Sequence, residues 1–268
     1  MGRAKDIVIK VLPAGIANDF VRRWHYSGKV VNNSTLHFGA FLDGKLHGVM
    51  SFGSPLDKRK VLSLVHTAAG VPCLWNEMLE LNRMAFDDHL PKNSESRCLA
   101  VAFRLIRKNA SHIRWILSFS DGTQCGDGAI YRASGFVLTG IVENSNTCSS
   151  VFGVIHKMTL ESNPTQKRPE LRGRSYYELT GGKYDFKRYV SEVGGEVLKG
   201  YQLRYIYLLD KTCKLNCPEL PFSEIDRIGA GMYRGEKITL AERRNTSVQS
   251  INGDAPGLQS GDGGSIPT

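Results

Sequence analysis

LSFSDGTQCGDGAIYRASGF, residues 117–136, begins as a buried strand and ends as the last turn of a helix entering another strand. The apolar run RWILSFS (114–120) has no polar alternate face, so it belongs inside a sheet. Asp121 stands at its carboxyl end, and the glycines that follow serve the turn. Asp127 reads as the N-cap of a short helix ending near Ser134, since Ala129, Ile130 and Tyr131 come directly after it. Gly135-Phe136 then feeds the strand FVLTGIV. The stretch therefore predicts strand, turn, short helix and strand, with two carboxylates and the thiol of Cys125 on the rim of the sheet. No histidine partner can be read for Cys125, which marks it as a bystander.

The elements on either side extend this reading. IVIKVL (7–12) is a β-branched strand stopped by Pro13, and a helix from Pro13 to about Arg23 carries Ile16, Phe20 and Val21 on one side. LHFGAFLDGKLHGVMSFG (36–53) is a hairpin turning at Asp43-Gly44. Residues 55–75 form a basic, irregular insertion, and MLELNRMAF (78–86) is a further strand. Asn93 or Ser94 caps a helix over about 95–109, with Cys98, Leu99, Ala102, Leu105 and Ile106 on its apolar face. VIHKMTLES (154–162) closes the series as a last strand. This order predicts a mixed α/β sheet core over residues 1–162. From Asn163 the chain turns Pro- and Arg-rich with interleaved tyrosines, and YQLRYIYLL (201–209) is strand-like. Residues 163–238 are read as a basic, Tyr-rich extension and 239–268 as a disordered tail.

Of 268 residues, 41% are hydrophobic and 23% charged, ordinary for a globular protein with a sizeable core. No apolar run approaches the roughly 20 residues of a membrane helix, and the N-terminus does not read as an export signal. Six scattered cysteines then imply reduced thiols in the cytosol, and Cys213-x-x-x-Cys217 lacks the companion pair of a zinc site. The net charge of +9 favours an anionic partner, nucleic acid first. Both parts share it: residues 1–162 hold 19 basic and 13 acidic side chains, residues 163–244 hold 16 and 11.

Several side chains point to chemistry. Arg83, inside an apolar strand, must face a cleft or pair with Glu77, Glu80 or Asp121. Asp121, at the end of a central strand, can take a proton from an amine or bind a hard metal; the alternative is a turn cap. Arg168, Arg172, Arg174, Lys183, Lys187, Arg188 and Arg204 can neutralise phosphates, while Tyr176 and Tyr177 offer stacking faces. Double-stranded DNA is the partner this pattern favours, with Trp24, Tyr26 or Tyr176 stacking on a base.

YRASGF, placed after a strand and a short helix, resembles the GNAT (N-acetyltransferase-like) fold. WHYSG (24–28), the 36–53 hairpin, LELNRMAF (79–86), SFSDGTQCGDGAIYRASGF, GRSYYELTGGKYDFKRY (173–189) and GYQLRYIYLLD with GAGMYRGEKI together resemble the Mom family of phage DNA-modification proteins. The resemblance implies a GNAT-like, mostly antiparallel sheet flanked by helices. It also implies transfer of a carbamoylmethyl group to the exocyclic amine of adenine, which shields phage DNA from restriction in the cytoplasm of the infected host. In that frame His25 and Tyr26 line the acceptor side, and His25 or Asp121 accepts the proton. Arg83 holds an oxygen, and Tyr131 protonates the leaving group. The family link to ferrous iron suggests His25, Tyr26 and Asp121 as a metal set. One departure stands out. Where a GNAT has a Gly-rich turn for the coenzyme A pyrophosphate, residues 87–97 read DDHLPKNSESR. Ser94, Ser96 and Arg97 at the helix start can still bind an anion, but acetyl-CoA is doubtful as donor, whose identity stays open. Two other readings remain: an acyltransferase acting on a small amine or transfer RNA, and a non-catalytic DNA-binding protein on a GNAT scaffold.

Overall fold

The computed structural model describes residues 3–91, 93–123, 126–233 and 236–237. Its centre is an eight-stranded sheet of β1 (Val8–Val11), β2 (Ser34–Leu42), β3 (Lys45–Gly53), β4 (Met78–Phe86), β5 (Trp115–Asp121), β6 (Val137–Ser150), β7 (Gly153–His156) and β8 (Glu196–Leu208). The spatial order is β1-β2-β3-β4-β5-β8-β6-β7. Every neighbouring pair is antiparallel except β4 with β5, so the mixed, mostly antiparallel sheet is present. Among the described residues no helix is long and apolar enough to cross a membrane.

Local rules account for the first half. Asp43 and Gly44 both take positive φ, 52° and 77°, which a two-residue hairpin turn following the sheet twist requires. Helix α1 (Ala14–Trp24) starts after Pro13, buries Ala17, Phe20 and Val21, and ends where His25 turns extended. It covers Val49 and Ala85 on one face of the sheet. On the opposite face α2 (Ser94–Asn109) lays Leu99, Phe103 and Ile106 against Phe52 and Ile116. Each such burial stabilises the fold by about 1.5–3 kcal/mol. β5 is buried on both faces, as its unbroken apolar run requires: Trp115 and Leu117 point to one side, Ile116 to the other. The 55–75 insertion is the lid of the first side, through Val61, Leu64, Val65 and Cys73.

Three expectations change. Residues 154–162 are not one strand, because the chain leaves β7 at His156 and continues as α4 (Lys157–Ser162), with the His156 ring accepting the Met158 N–H as cap. Asp127 does not cap α3 (Ala129–Ala133). Gly128 is the N-cap, at φ 72°, and the Asp127 carboxylate pairs with Arg132 at 2.7 Å. The sheet also does not end at residue 162, since β8 enters it between β5 and β6. The intervening segment folds into α5 (Tyr176–Thr180) and α6 (Phe186–Glu192). These enclose a second core of Leu160, Leu171, Tyr176, Leu179 and Tyr189 with Cys148 of β6. The tail expected over 239–268 and the thiol of Cys125 lie outside the described residues.

Candidate active site

β4 and β5 pair only through Met78–Trp115, Leu79–Ile116 and Glu80–Leu117. Beyond Glu80, β4 follows β3 as far as Phe86, while β5 follows β8 as far as Asp121. Each strand is held by its outer neighbour, so the sheet opens between their carboxyl ends, where open α/β sheets place their ligands. Glu80 stands at the apex, Arg83 on one wall, and Asp121 at the end of the other.

The guanidinium of Arg83 donates to the main-chain oxygens of Lys29 at 2.8 Å and Asn82 at 2.7 Å, which ties the loop after α1 to β4. Burial pulls its pKa below the usual guanidinium range, while Tyr26, Glu80 and Tyr131 act electrostatically in the other direction. Arg83 thus gathers groups from three parts of the chain. Glu77, one pairing partner considered for it, is committed instead to Arg114 at 2.7 Å.

His25 and Tyr26 lie ring to ring, with centroids 4.3 Å apart. Burial, and secondarily the charge of Arg83, push the His25 pKa down to about 3. Its Nδ1 accepts the Ser27 N–H at 3.2 Å and lies 2.8 Å from the Ser27 hydroxyl. A lone pair at Nδ1 puts the proton of the neutral ring on Nε2. His25 is therefore equipped to donate a hydrogen bond from Nε2. Tyr131 of α3 packs against Tyr205 and Phe136, with ring centroids at 5.1 and 5.3 Å.

In the sequence Glu80 stands out only as a partner for Arg83. Burial raises its carboxyl pKa to about 7, against a hydrogen bond from Asn82 and the charge of Arg83. A carboxyl that exchanges its proton near neutrality is able to serve as an acid or a base. Lys29 and His156 do not stand out in the sequence. Burial lowers the His156 pKa, and of its charged neighbours Asp121 opposes this most and Lys29 adds to it. The Lys29 ammonium donates to the Thr159 hydroxyl at 2.5 Å, and partial desolvation, with Arg168, lowers its pKa. No local signal ties His156 to Asp121, because α3 and β6 intervene in the chain.

The iron set fits its surroundings poorly. The guanidinium that suppresses protonation of His25 also opposes a metal cation there, and Nδ1 of His25 is already engaged. The expected anion set is likewise committed to its own loop. Ser94 is fully buried and its hydroxyl donates to Pro91, that of Ser96 donates to Asn93 at 3.3 Å, and Arg97 donates to Lys5 at 3.1 Å.

The expected DNA-binding residues divide. Tyr176 has no exposed surface, so it is a core residue and cannot stack on a base. Arg168 is 7% exposed and holds Glu170 and the Thr159 carbonyl. Arg174 pairs with Glu192, and Arg204 holds Thr139 on β6. Arg172, Lys183, Lys187 and Arg188 are exposed, as is Trp24, while Tyr177 is half-buried with its hydroxyl 3.4 Å from that of Tyr184.

The cleft lies on a mostly antiparallel sheet, and the family to which this sequence is similar supports a transferase-type enzyme. The chain belongs to the Mom protein family, whose family model matches residues 6–224. It is 30% identical over 222 residues to the methylcarbamoylase mom of Escherichia phage Mu, a match covering 79% of each protein. Similar solved structures include the ribosomal-protein-S18-alanine N-acetyltransferase from Escherichia coli, 11% identical, with 76% of this chain and 94% of that chain covered at a TM-score of 0.40. An IAA acetyltransferase from Bacillus cereus is 12% identical, with 75% and 99% covered and a TM-score of 0.38.

Proposed function

We propose that this protein modifies phage DNA by adding a carbamoylmethyl group to the exocyclic amine of adenine, which protects that DNA from restriction by the host. Membership of the Mom family and the likeness to a methylcarbamoylase support the reaction type. The observation that carries the reading is the placement of Glu80 and Arg83 where β4 and β5 part. The adenine amine is a poor nucleophile, because its lone pair is delocalised into the ring. A base must remove its proton as the new N–C bond forms, and Glu80 is ionised for that purpose at slightly alkaline pH. Arg83, with the Nε2–H of His25, can hold the carboxamide oxygen of the incoming group. Tyr131, which acts electrostatically on Arg83, would protonate what departs. The base must leave the duplex to reach this cleft, at a cost of a few kcal/mol that stacking and phosphate contacts offset.

The test is to express the protein in bacteria, digest their DNA to nucleosides and weigh the deoxyadenosine by mass spectrometry. The expected product is deoxyadenosine heavier by one carbamoylmethyl group, and Arg83→Ala should abolish it. Unmodified adenine from cells holding soluble, folded protein would overturn the reading. Acylated small amines in its place would identify an ordinary acyltransferase.

DNA contact is assigned to the exposed cations around α5 and α6. Changing Lys183, Lys187 and Arg188 together to Gln should weaken duplex binding. The slope of log affinity against log salt should fall by about 0.9 for each phosphate that is no longer neutralised. Tyr176→Ala should act differently, lowering stability by about 3–5 kcal/mol as a large core truncation. An unchanged salt slope in the triple variant would place the DNA elsewhere on the molecule.

A further inference from the structure

A second cluster of chemically capable side chains lies where β4 runs out. The Asp87 N–H donates to the main-chain oxygen of His47, which continues the ladder between β3 and β4 by one step. This sets two side chains face to face, with Asp87 Oδ2 2.9 Å from His47 Nδ1. The chain then turns, and Asp87 Oδ1 accepts the His89 N–H at 3.0 Å. That turn swings the His89 ring back, with Nδ1 3.6 Å from the same carboxylate oxygen and the two imidazoles 5.3 Å apart. One ligand atom from each of the three residues lies within 4.8 Å of the others. Among the described residues this is the grouping of His, Cys, Asp and Glu that meets that criterion.

Burial and charge make it more than a turn. The Asp87 side chain is only 7% exposed and that of His47 13%, whereas His89 is 71% exposed. A carboxylate so far from water needs a positive partner. Its ion-pair partners are two imidazoles, which supply positive charge only by binding a proton or a metal. Two imidazoles and one carboxylate suit zinc and its neighbours among the divalent transition metals. Tetrahedral bonds of the usual length set ligand atoms about 3.4 Å apart, and the two oxygens of the Asp87 carboxylate lie close to that distance from the rings, Oδ2 2.9 Å from His47 and Oδ1 3.6 Å from His89. The exposed His89 leaves an entry path and room for water as a fourth ligand.

We propose that His47, Asp87 and His89 bind one divalent transition-metal ion of the zinc class, which staples the loop ahead of α2 to the start of β3. Two ligands come from a single turn and the third from the neighbouring strand. The ion therefore fixes the direction in which the chain leaves β4, the strand that carries Glu80 and Arg83. This site is distinct from the cleft and does not depend on the reaction proposed there.

The experiment uses tag-free full-length protein dialysed against a chelator, then titrated with cobalt(II) and, separately, zinc(II). The expected result is saturation at one equivalent, visible absorption bands of low-symmetry cobalt that zinc displaces, and a higher melting temperature with zinc. His89→Ala, a surface change that should leave the fold intact by circular dichroism, is expected to weaken binding at least about tenfold and to remove the zinc-dependent rise. His47→Ala should do the same. Absence of saturable binding would overturn the proposal. So would wild-type affinity in His89→Ala, or loss of binding only in His25→Ala or His156→Ala, which would move the metal to the cleft.

Discussion

Glu80→Gln is expected to slow DNA modification on the order of 100-fold or more while making the folded protein more stable above pH 7. The two effects share one cause. Burial raises the carboxyl pKa from 4.5 to about 7, so the fold favours the neutral acid. At about 1.4 kcal/mol per pH unit, ionising Glu80 costs the folded state on the order of 3 kcal/mol. A raised pKa on an acid means that the folded chain binds more protons than the unfolded one between those two values. The contribution of Glu80 to stability is therefore greatest below pH 4.5 and is lost as pH rises through about 7. Gln keeps the shape, removes the charge and abolishes that slope. It also removes the base, so the rise in activity expected as pH passes about 7 should vanish with it. Thermal melts at pH 6 and pH 8, paired with nucleoside analysis, check both arms. A Gln variant that modifies DNA normally, or that melts lower than the parent at pH 8, would show that Glu80 does not have this role.

His25 supplies the opposing slope. Its ring stays neutral in the fold down to about pH 3, against 6.5 in the unfolded chain. The unfolded state binds the extra proton, so the stability present above pH 6.5 is lost as pH falls toward 3. Between pH 4.5 and 6.5 the two residues pull in opposite directions, and Glu80→Gln should leave the His25 slope alone and easier to see.

Much of the framework was legible because its signals are local. The hairpin at Asp43-Gly44, the 3.6-residue periodicity of α2 and the apolar run of β5 are each set within a few residues, and each element formed where the pattern put it. Of the cleft, Arg83 was legible because a cation in an apolar strand demands an explanation. Glu80 was not, because its altered proton affinity comes from burial, and what buries it is set by strand pairing and by segments distant in the chain. Tyr176 and Arg168 failed as surface residues for a related reason. An aromatic or a cation in a Pro- and Gly-rich stretch looks solvent-facing until short helices close around it, here using the far end of β6 as their floor. The place of β8 was illegible for the same reason. YQLRYIYLL announces a strand, and nothing within it names its neighbours.

A chain cut after residue 162 is expected not to fold. β8 forms seven register pairs with β5, from Trp115–Leu208 to Asp121–Gln202, and also pairs along β6 from Val137–Ile206 to Ser149–Glu196. Without it, β5 and β6 lose the strand that joins them, and both are left with open edges suited to aggregation. The core loses Leu203, Tyr205, Ile206 and Leu209, all at most 4% exposed. At about 1.5–3 kcal/mol for each large apolar side chain, that loss alone is comparable with the roughly 5–15 kcal/mol that separates folded from unfolded domains. The site would go with it, since the Tyr205 hydroxyl donates to the Asp127 carbonyl at 2.5 Å and its ring supports Tyr131. The shortened protein should be recovered from inclusion bodies, or, if refolded, should show no cooperative melt by circular dichroism. A soluble fragment with a single sharp transition would mean that β5 and β6 can close on each other, and that residues 163–238 are an appendage after all. Gly200→Val in the full chain offers a milder version of the same test. A Cβ at Gly200 would sit 1.8 Å from the Thr123 hydroxyl, so β8 could not keep its register beside the turn after Asp121.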